Sequence, residues 1–313
     1  MKLPPLLPDR AESPRSWPSR GSLLATGAGF AFVLLLSACG EEAKPPPSAA
    51  PSTWHYQLQN LELEALAKTK YDLVVIDYSK DGSAAGEFAP REIASLQASG
   101  KTVLAYFSIG EAESYRYYWQ RSWRPGQPSW LLHPNPDYLD NYLVQYWHPA
   151  WQDIIYSYLD EIVAQGFDGV YLDRVDAYES HPEMRSQAAL YMADLIEAIG
   201  NYVRNTLGKA DSLLFIQNGE PLGRFPQVMN SISGIAREET YCSAGDQLTD
   251  AAETVQIEGW LDRFLAAGKT VLTVDYCQER SYIQRAYERA RSKGYVPFFT
   301  TVELDRLVLN SGQ

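Results

Sequence analysis

Several kinds of chemistry are missing from this sequence. Its 313 residues include only three Cys and four His. His55, His133, His148 and His181 form no HxH or HExxH pattern, and no cysteine belongs to a CxxC or Cys/His set. A structural or catalytic zinc site therefore lacks its usual ligands, and no metal is expected. No GxGxxG or GxxxxGK[ST] follows an early strand, which removes the common phosphate-cradling loops and with them any expected nucleotide cofactor. There is no GxSxG elbow for a serine nucleophile. Lys80 lies in a loop past the second predicted strand and is a poor Schiff-base candidate. Positive charge is also scarce: 27 Lys and Arg stand against 39 Asp and Glu, a net charge of −12. Such a surface disfavours nucleic acid and suits neutral or cationic partners.

What is present begins with an N-terminal address. Residues 23–36 form an apolar run preceded by basic residues and followed by Leu36-Ser37-Ala38-Cys39. The run is shorter than the roughly 20 residues of a membrane-spanning helix. Together with the cysteine it resembles a bacterial lipoprotein signal. The reading is a signal peptide over 1–38, lipidation at Cys39, a Pro/Ala/Ser-rich tether over 39–53 and a folded domain over 54–313. The location implied is extracytoplasmic, held at the membrane by a lipid anchor. In that oxidising compartment Cys242 and Cys277, each just past a predicted strand, are candidates for a disulfide, subject to their geometry.

From residue 54 onward, short β-rich runs alternate with helical ones. Strands are predicted over 54–58, 71–79, 102–109, 167–173, 212–218, 232–239, 270–276 and 295–301. Helices are predicted over 90–98, 148–165, 183–206, 250–267 and 280–293. Gly100, Gly166, Gly268 and Gly294 stand where helices would end. Eight β/α units without hairpin signals argue for parallel strands closed into a single (β/α)₈ barrel, with an open doubly wound sheet as the competing arrangement. Residues 111–147 are a long aromatic insertion, expected to wall or cover the active site. Its rings, among them Tyr115, Tyr117, Tyr118, Trp119, Trp123 and Trp130, suit either sugar stacking or ordinary packing.

Catalysis in such barrels sits at the C-terminal strand ends. Alternation along each strand groups Val75 with Asp77, Tyr106 with Ser108, Tyr171 with Asp173, Ala236 with Glu238, and Thr273 with Asp275. Glu111, Asp176, Asn218 and Glu220 follow in the loops. One aspartate at a βα junction is readily a helix cap. So many acidic groups on one rim are harder to explain that way. Crowded carboxylates raise one another's pKa, and a pair acting as acid and nucleophile or base suits glycoside cleavage.

The runs YDLVVIDYS (71–79), LAYFSIGEAE (104–113), GFDGVYLDRVDAYE (166–179), QNGE (217–220), AREETYC (236–242) and VDYC (274–277) carry a resemblance. Over about 54–310 the chain resembles glycoside hydrolase family 114, the endo-α-1,4-polygalactosaminidase family. The resemblance implies a barrel that cleaves α-1,4-linked galactosamine polymers, with a cationic amino-sugar polysaccharide as partner. It implies Asp173 as nucleophile and Glu238 as acid/base, with the adjacent Glu239 leaving the register open by one residue. It further implies substrate contacts from Asp77, Tyr78, Ser108, Glu111, Tyr171, Asp176, Asn218, Glu220, Glu239, Tyr241, Asp275 and Tyr276. The enzyme is expected to act as a monomer without cofactor. The competing readings are a polysaccharide-binding lipoprotein without turnover, and a hydrolase of another envelope glycan.

Overall fold

The computed structural model describes residues 50–310; the signal-like segment and Cys39 lie outside them. Eight strands form one parallel sheet: β1 (Trp54–Tyr56), β2 (Leu73–Ile76), β3 (Thr102–Ser108), β4 (Gly169–Asp173), β5 (Leu213–Gln217), β6 (Gly234–Glu238), β7 (Thr270–Asp275) and β8 (Val296–Phe299). Neighbours in space are neighbours in sequence throughout. The sheet curls into a barrel, and Trp54 of β1 meets Phe298 of β8 with ring centroids 5.8 Å apart. Each of the eight expected strands is present. Ahead of β1, the Asp72 carboxylate accepts hydrogen bonds from the backbone and hydroxyl of Ser52 and from the Thr53 amide.

Seven helices follow the first seven strands: α1 (Leu63–Ala67), α2 (Pro90–Ala98), α3 (Pro149–Gln165), α4 (Arg185–Asn201), α5 (Pro226–Ser231), α6 (Ala251–Ala266) and α7 (Arg280–Lys293). Local chemistry sets their ends. Pro149 opens α3, where its missing N–H costs nothing, and the His148 ring accepts from the Ala150 amide. Asp250 caps α6 by accepting from Ala252 and Glu253. Gly166 and Gly294 close α3 and α7 at φ 86° and 84°, a region costly for any residue with a Cβ.

Two apolar layers result. Inside the barrel lie Trp54, Tyr56, Leu104, Tyr106, Tyr171, Phe215, Ala236, Leu272, Val274 and Phe298. Between barrel and helices lie Phe107, Leu172, Ile216, Ile235, Trp151 and Leu159. The interior is strongly aromatic, and removing one such buried ring typically costs about 3–5 kcal/mol. Small residues make room for the rings: a Cβ on Gly234 would lie 2.3 Å from the Phe215 ring.

Hairpins do occur, contrary to the reading of the chain as purely parallel. Within the insertion, Glu111–Glu113, Asn141–Val144 and Leu131–Pro134 build a small antiparallel sheet. Its strands have only three or four residues, too few to show alternation in sequence. Cys242–Ser243 and Gln247–Leu248 form a second short antiparallel pair. Most insertion rings are packing groups: Trp123 meets Trp130 at 5.0 Å, and Trp130 meets Trp151 at 5.1 Å.

Candidate active site

The C-terminal rim of the barrel opens into a cleft of about 800 Å³. Asp77, Asp173 and Glu238 reach it from β2, β4 and β6, joined by Glu111, Asn218, Glu239 and Tyr276. Strand parity explains the first three. Val75, Tyr171 and Ala236 face inward, so the residues two positions further along do the same.

Asp173 and Glu238 stand on strands separated by β5. Each carboxyl group is held at both oxygens. Asp173 accepts from the Tyr106 hydroxyl at 2.7 Å and from the Arg174 backbone amide at 2.7 Å. Glu238 accepts from Asn218 Nδ2 at 2.8 Å and from the Tyr276 hydroxyl. Burial, then the Glu238 charge, push the Asp173 carboxyl above the usual carboxylate range, while Arg174 and the Tyr106 hydrogen bond oppose the shift. Burial and the same carboxylate push the Tyr276 hydroxyl well above its ordinary value, which keeps it a donor to Glu238.

Two arginines organise the surrounding acids. Arg116 is buried between Asp77 and Glu113, with contacts of 2.7 Å to each. Burial raises Asp77, and Arg116 pulls in the other direction. Arg174 lies at φ 57° immediately after Asp173 and reaches Glu111 at 2.8 Å. Glu111 also accepts from Asn135 Nδ2 at 3.0 Å, so the Arg174 contact ties two parts of the insertion to the rim. The turn between the last two strands of the insertion carries Tyr138 and Leu139, 57% and 72% exposed, on the wall of the cleft. The insertion is therefore a wall, as its length and aromatic content suggested.

The doubled glutamate separates clearly. Glu238 ends β6 facing inward, whereas Glu239 follows in a left-handed turn at φ 51° on the cleft wall. Seven expected substrate contacts lie elsewhere. Tyr78 has the opposite parity to Asp77; it is fully buried against Tyr158 and donates to the Gly82 carbonyl. Asp275 also faces outward. Its strand puts Leu272, Val274 and Tyr276 inside, so Asp275 instead accepts the backbone amides of Tyr241 and Cys242. Tyr241 points to the helical layer, where its hydroxyl meets Glu258. Tyr171 is inward but one pleat too deep, packed on Tyr56. Ser108 is buried and donates to the Glu111 carbonyl. Asp176 and Glu220 line a second groove beside the cleft.

Sequence reading missed Arg174, Arg237, Asn135 and Tyr138. Arg174 was legible inside the DRVD run, next to the aspartate it accompanies. The others depend on how the insertion and the β6 end fold back over the rim. Cys242 and Cys277 are joined in a disulfide, with Cα atoms 5.6 Å apart. The link ties the segment after β6 to the end of β7, next to Tyr276.

The sequence model of glycoside-hydrolase family GH114 matches residues 37–312. An uncharacterised protein of Methanocaldococcus jannaschii is 39% identical over 269 residues, covering 81% of this chain and 77% of that protein. An uncharacterised protein of Deinococcus radiodurans is 35% identical over 308 residues, covering 89% of this chain and 97% of its own. Among solved structures, the glycoside hydrolase domain of PelA from Pseudomonas aeruginosa superposes with a TM-score of 0.65 at 21% identity, over 82% of this chain and 97% of that one. Aspergillus fumigatus Ega3, solved in complex with galactosamine, gives 0.62 at 18% identity, over 83% and 94%. The structural likenesses speak for the barrel, and the sequence matches speak for descent: the chain belongs to glycoside-hydrolase family GH114.

Proposed function

We propose that this barrel cleaves internal bonds of an α-1,4-linked galactosamine polysaccharide, with Asp173 as nucleophile and Glu238 as acid/base. The observation that carries the reading is the pairing of two inward carboxylates, each fixed by two donors, on the floor of one long acidic cleft. A nucleophilic Asp173 attacks the anomeric carbon while Glu238 protonates the departing oxygen. Glu238 then takes a proton from the water that releases the glycosyl-enzyme. Protonated amines on the substrate match a cleft whose lining keeps an excess of acids, Glu239 and the catalytic pair among them, after Arg116 and Arg174 have paired with Asp77 and Glu111. A bound cation also favours the ionised form of Asp173, opposing the effect of burial. The complex of Ega3 with galactosamine supports the same sugar class.

The test is digestion of partially deacetylated α-1,4-galactosaminan by the purified domain. The expected outcome is a rapid fall in chain length with oligomers as products, and NMR showing retention at the new reducing end. An intact polymer, or release of monosaccharide alone from chain ends, would sink the assignment.

We further propose that the protein is a lipoprotein anchored through Cys39 outside the cytoplasm and acts as a monomer there. Support comes from the apolar run and the cysteine that follows it. Cys39→Ala is expected to move the protein from the membrane to the soluble fraction; continued attachment would refute lipidation at that residue.

A further inference from the structure

A second groove of about 400 Å³ adjoins the cleft. It lies between the segments that follow β4, β5 and β6, where α6 begins. Asn218 and Arg237 line both spaces, so the two meet at the residues that hold Glu238. Arg237 pairs with Glu220 on the groove side and contacts the Glu238 carbonyl at the junction. A chain lying in the cleft and passing over Asn218 would enter the groove without leaving the surface.

The groove is built like a sugar site rather than a capped gap between loops. Trp260 supplies a half-buried aromatic wall; the Arg263 guanidinium covers one face of its ring, 4.4 Å from the centroid, and is not part of the groove lining. Rings of this kind stack on the apolar face of a sugar. Tyr178, 3% exposed, lines the groove, and its hydroxyl has no hydrogen-bond partner among the described residues. A buried donor without a partner is costly, and a ligand hydroxyl or amine would satisfy it. The charges also favour a cation. Glu220 is neutralised by Arg237 and Glu179 by Arg185. Asp176 is left with a loose 3.5 Å contact to Arg174, and Glu253 stands exposed with no ion pair among the described residues. Apolar wall, unsatisfied hydroxyl and spare negative charge together describe a hexosamine unit.

We propose that this groove is a distal subsite, binding a further amino-sugar unit of the polymer through Trp260, Tyr178, Asp176 and Glu253. It rests on the galactosaminidase reading above and extends it: the subsite makes binding depend on chain length and directs the enzyme to chain interiors. Asp176 and Glu220 then belong to substrate recognition away from the scissile bond.

The experiment titrates a ladder of galactosamine oligomers, from the disaccharide upward, into Asp173→Asn protein by calorimetry. The same titrations are repeated with Trp260→Ala, Tyr178→Phe and Glu253→Gln added singly. Affinity is expected to rise with oligomer length until the groove is filled. Trp260→Ala should lower affinity for long oligomers about tenfold, so that the long-to-short ratio collapses. Tyr178→Phe keeps the ring and the packing, so a reduced ratio in that variant speaks for the hydroxyl and not for damaged folding. Polymer cleavage by the native enzyme is measured alongside. Cleaved polymer with the long-to-short ratio preserved in all three variants overturns the groove alone. Neither cleavage nor binding of any oligomer overturns the galactosaminidase reading, and the amino-sugar subsite with it.

Discussion

An Asp173→Asn protein is expected to fold, to keep its cleft and to lose about 10⁴-fold or more in kcat, because an amide cannot form the glycosyl ester. The asparagine oxygen can still accept one of the two bonds made by Tyr106 and Arg174, so the loss is chemical and not structural. Thermal stability supplies an independent check. Burial first, and the Glu238 charge second, raise the Asp173 carboxyl above its unfolded value. A group raised in this way contributes stability that is fully present below its unfolded pKa, about 4. That contribution is lost as pH rises through the folded value. Asparagine has no such titration. The variant should therefore melt above the wild type at neutral pH, with the gap closing below about pH 4. In the wild type, the acid limb of kcat/KM should lie above the ordinary carboxylate range for the same reason. Equal turnover by the two proteins would remove Asp173 from the mechanism.

Glu238→Gln should cost about 10²–10⁴-fold in kcat on polymer, the usual worth of a positioned acid/base. The loss should depend on the leaving group. A nitrophenyl glycoside departs without protonation, so the first step survives and a burst of nitrophenolate appears. Slow release follows, because no base activates water. Added azide needs no base and should restore turnover, leaving a glycosyl azide of retained configuration. A uniform loss on both substrates, insensitive to azide, would move the role away from Glu238. Glu239→Gln provides the comparison. Its side chain lies on the wall, beyond the end of β6, and its loss should appear mainly in KM.

The barrel itself was legible because two periodicities alternate cleanly along the chain. Branched and aromatic runs of strand length are separated by helical segments that end at glycine, and the structure places all eight such runs side by side in order. Parity also found Asp77, Asp173 and Glu238, since an inward position follows from any inward neighbour two residues away. The same reasoning failed on β7. Alternation puts Thr273 and Asp275 on one side and counts Asp275 among the rim acids, yet Leu272, Val274 and Tyr276 fill the interior. Nothing local distinguishes the two phases of a strand that is buried on both faces.

Chain chemistry alone therefore determined the fold class, the strand order and the family, because these depend on periodicity and on contiguous motifs. The tertiary structure decided which acids share a cleft. It set Glu238 inward and turned Glu239 to the wall. It brought Asn135 from the insertion against Glu111, and it sent Asp176 and Glu220 into a second groove. Those outcomes depend on where loops of irregular backbone return over the rim, and each is fixed by contacts between residues far apart in the chain.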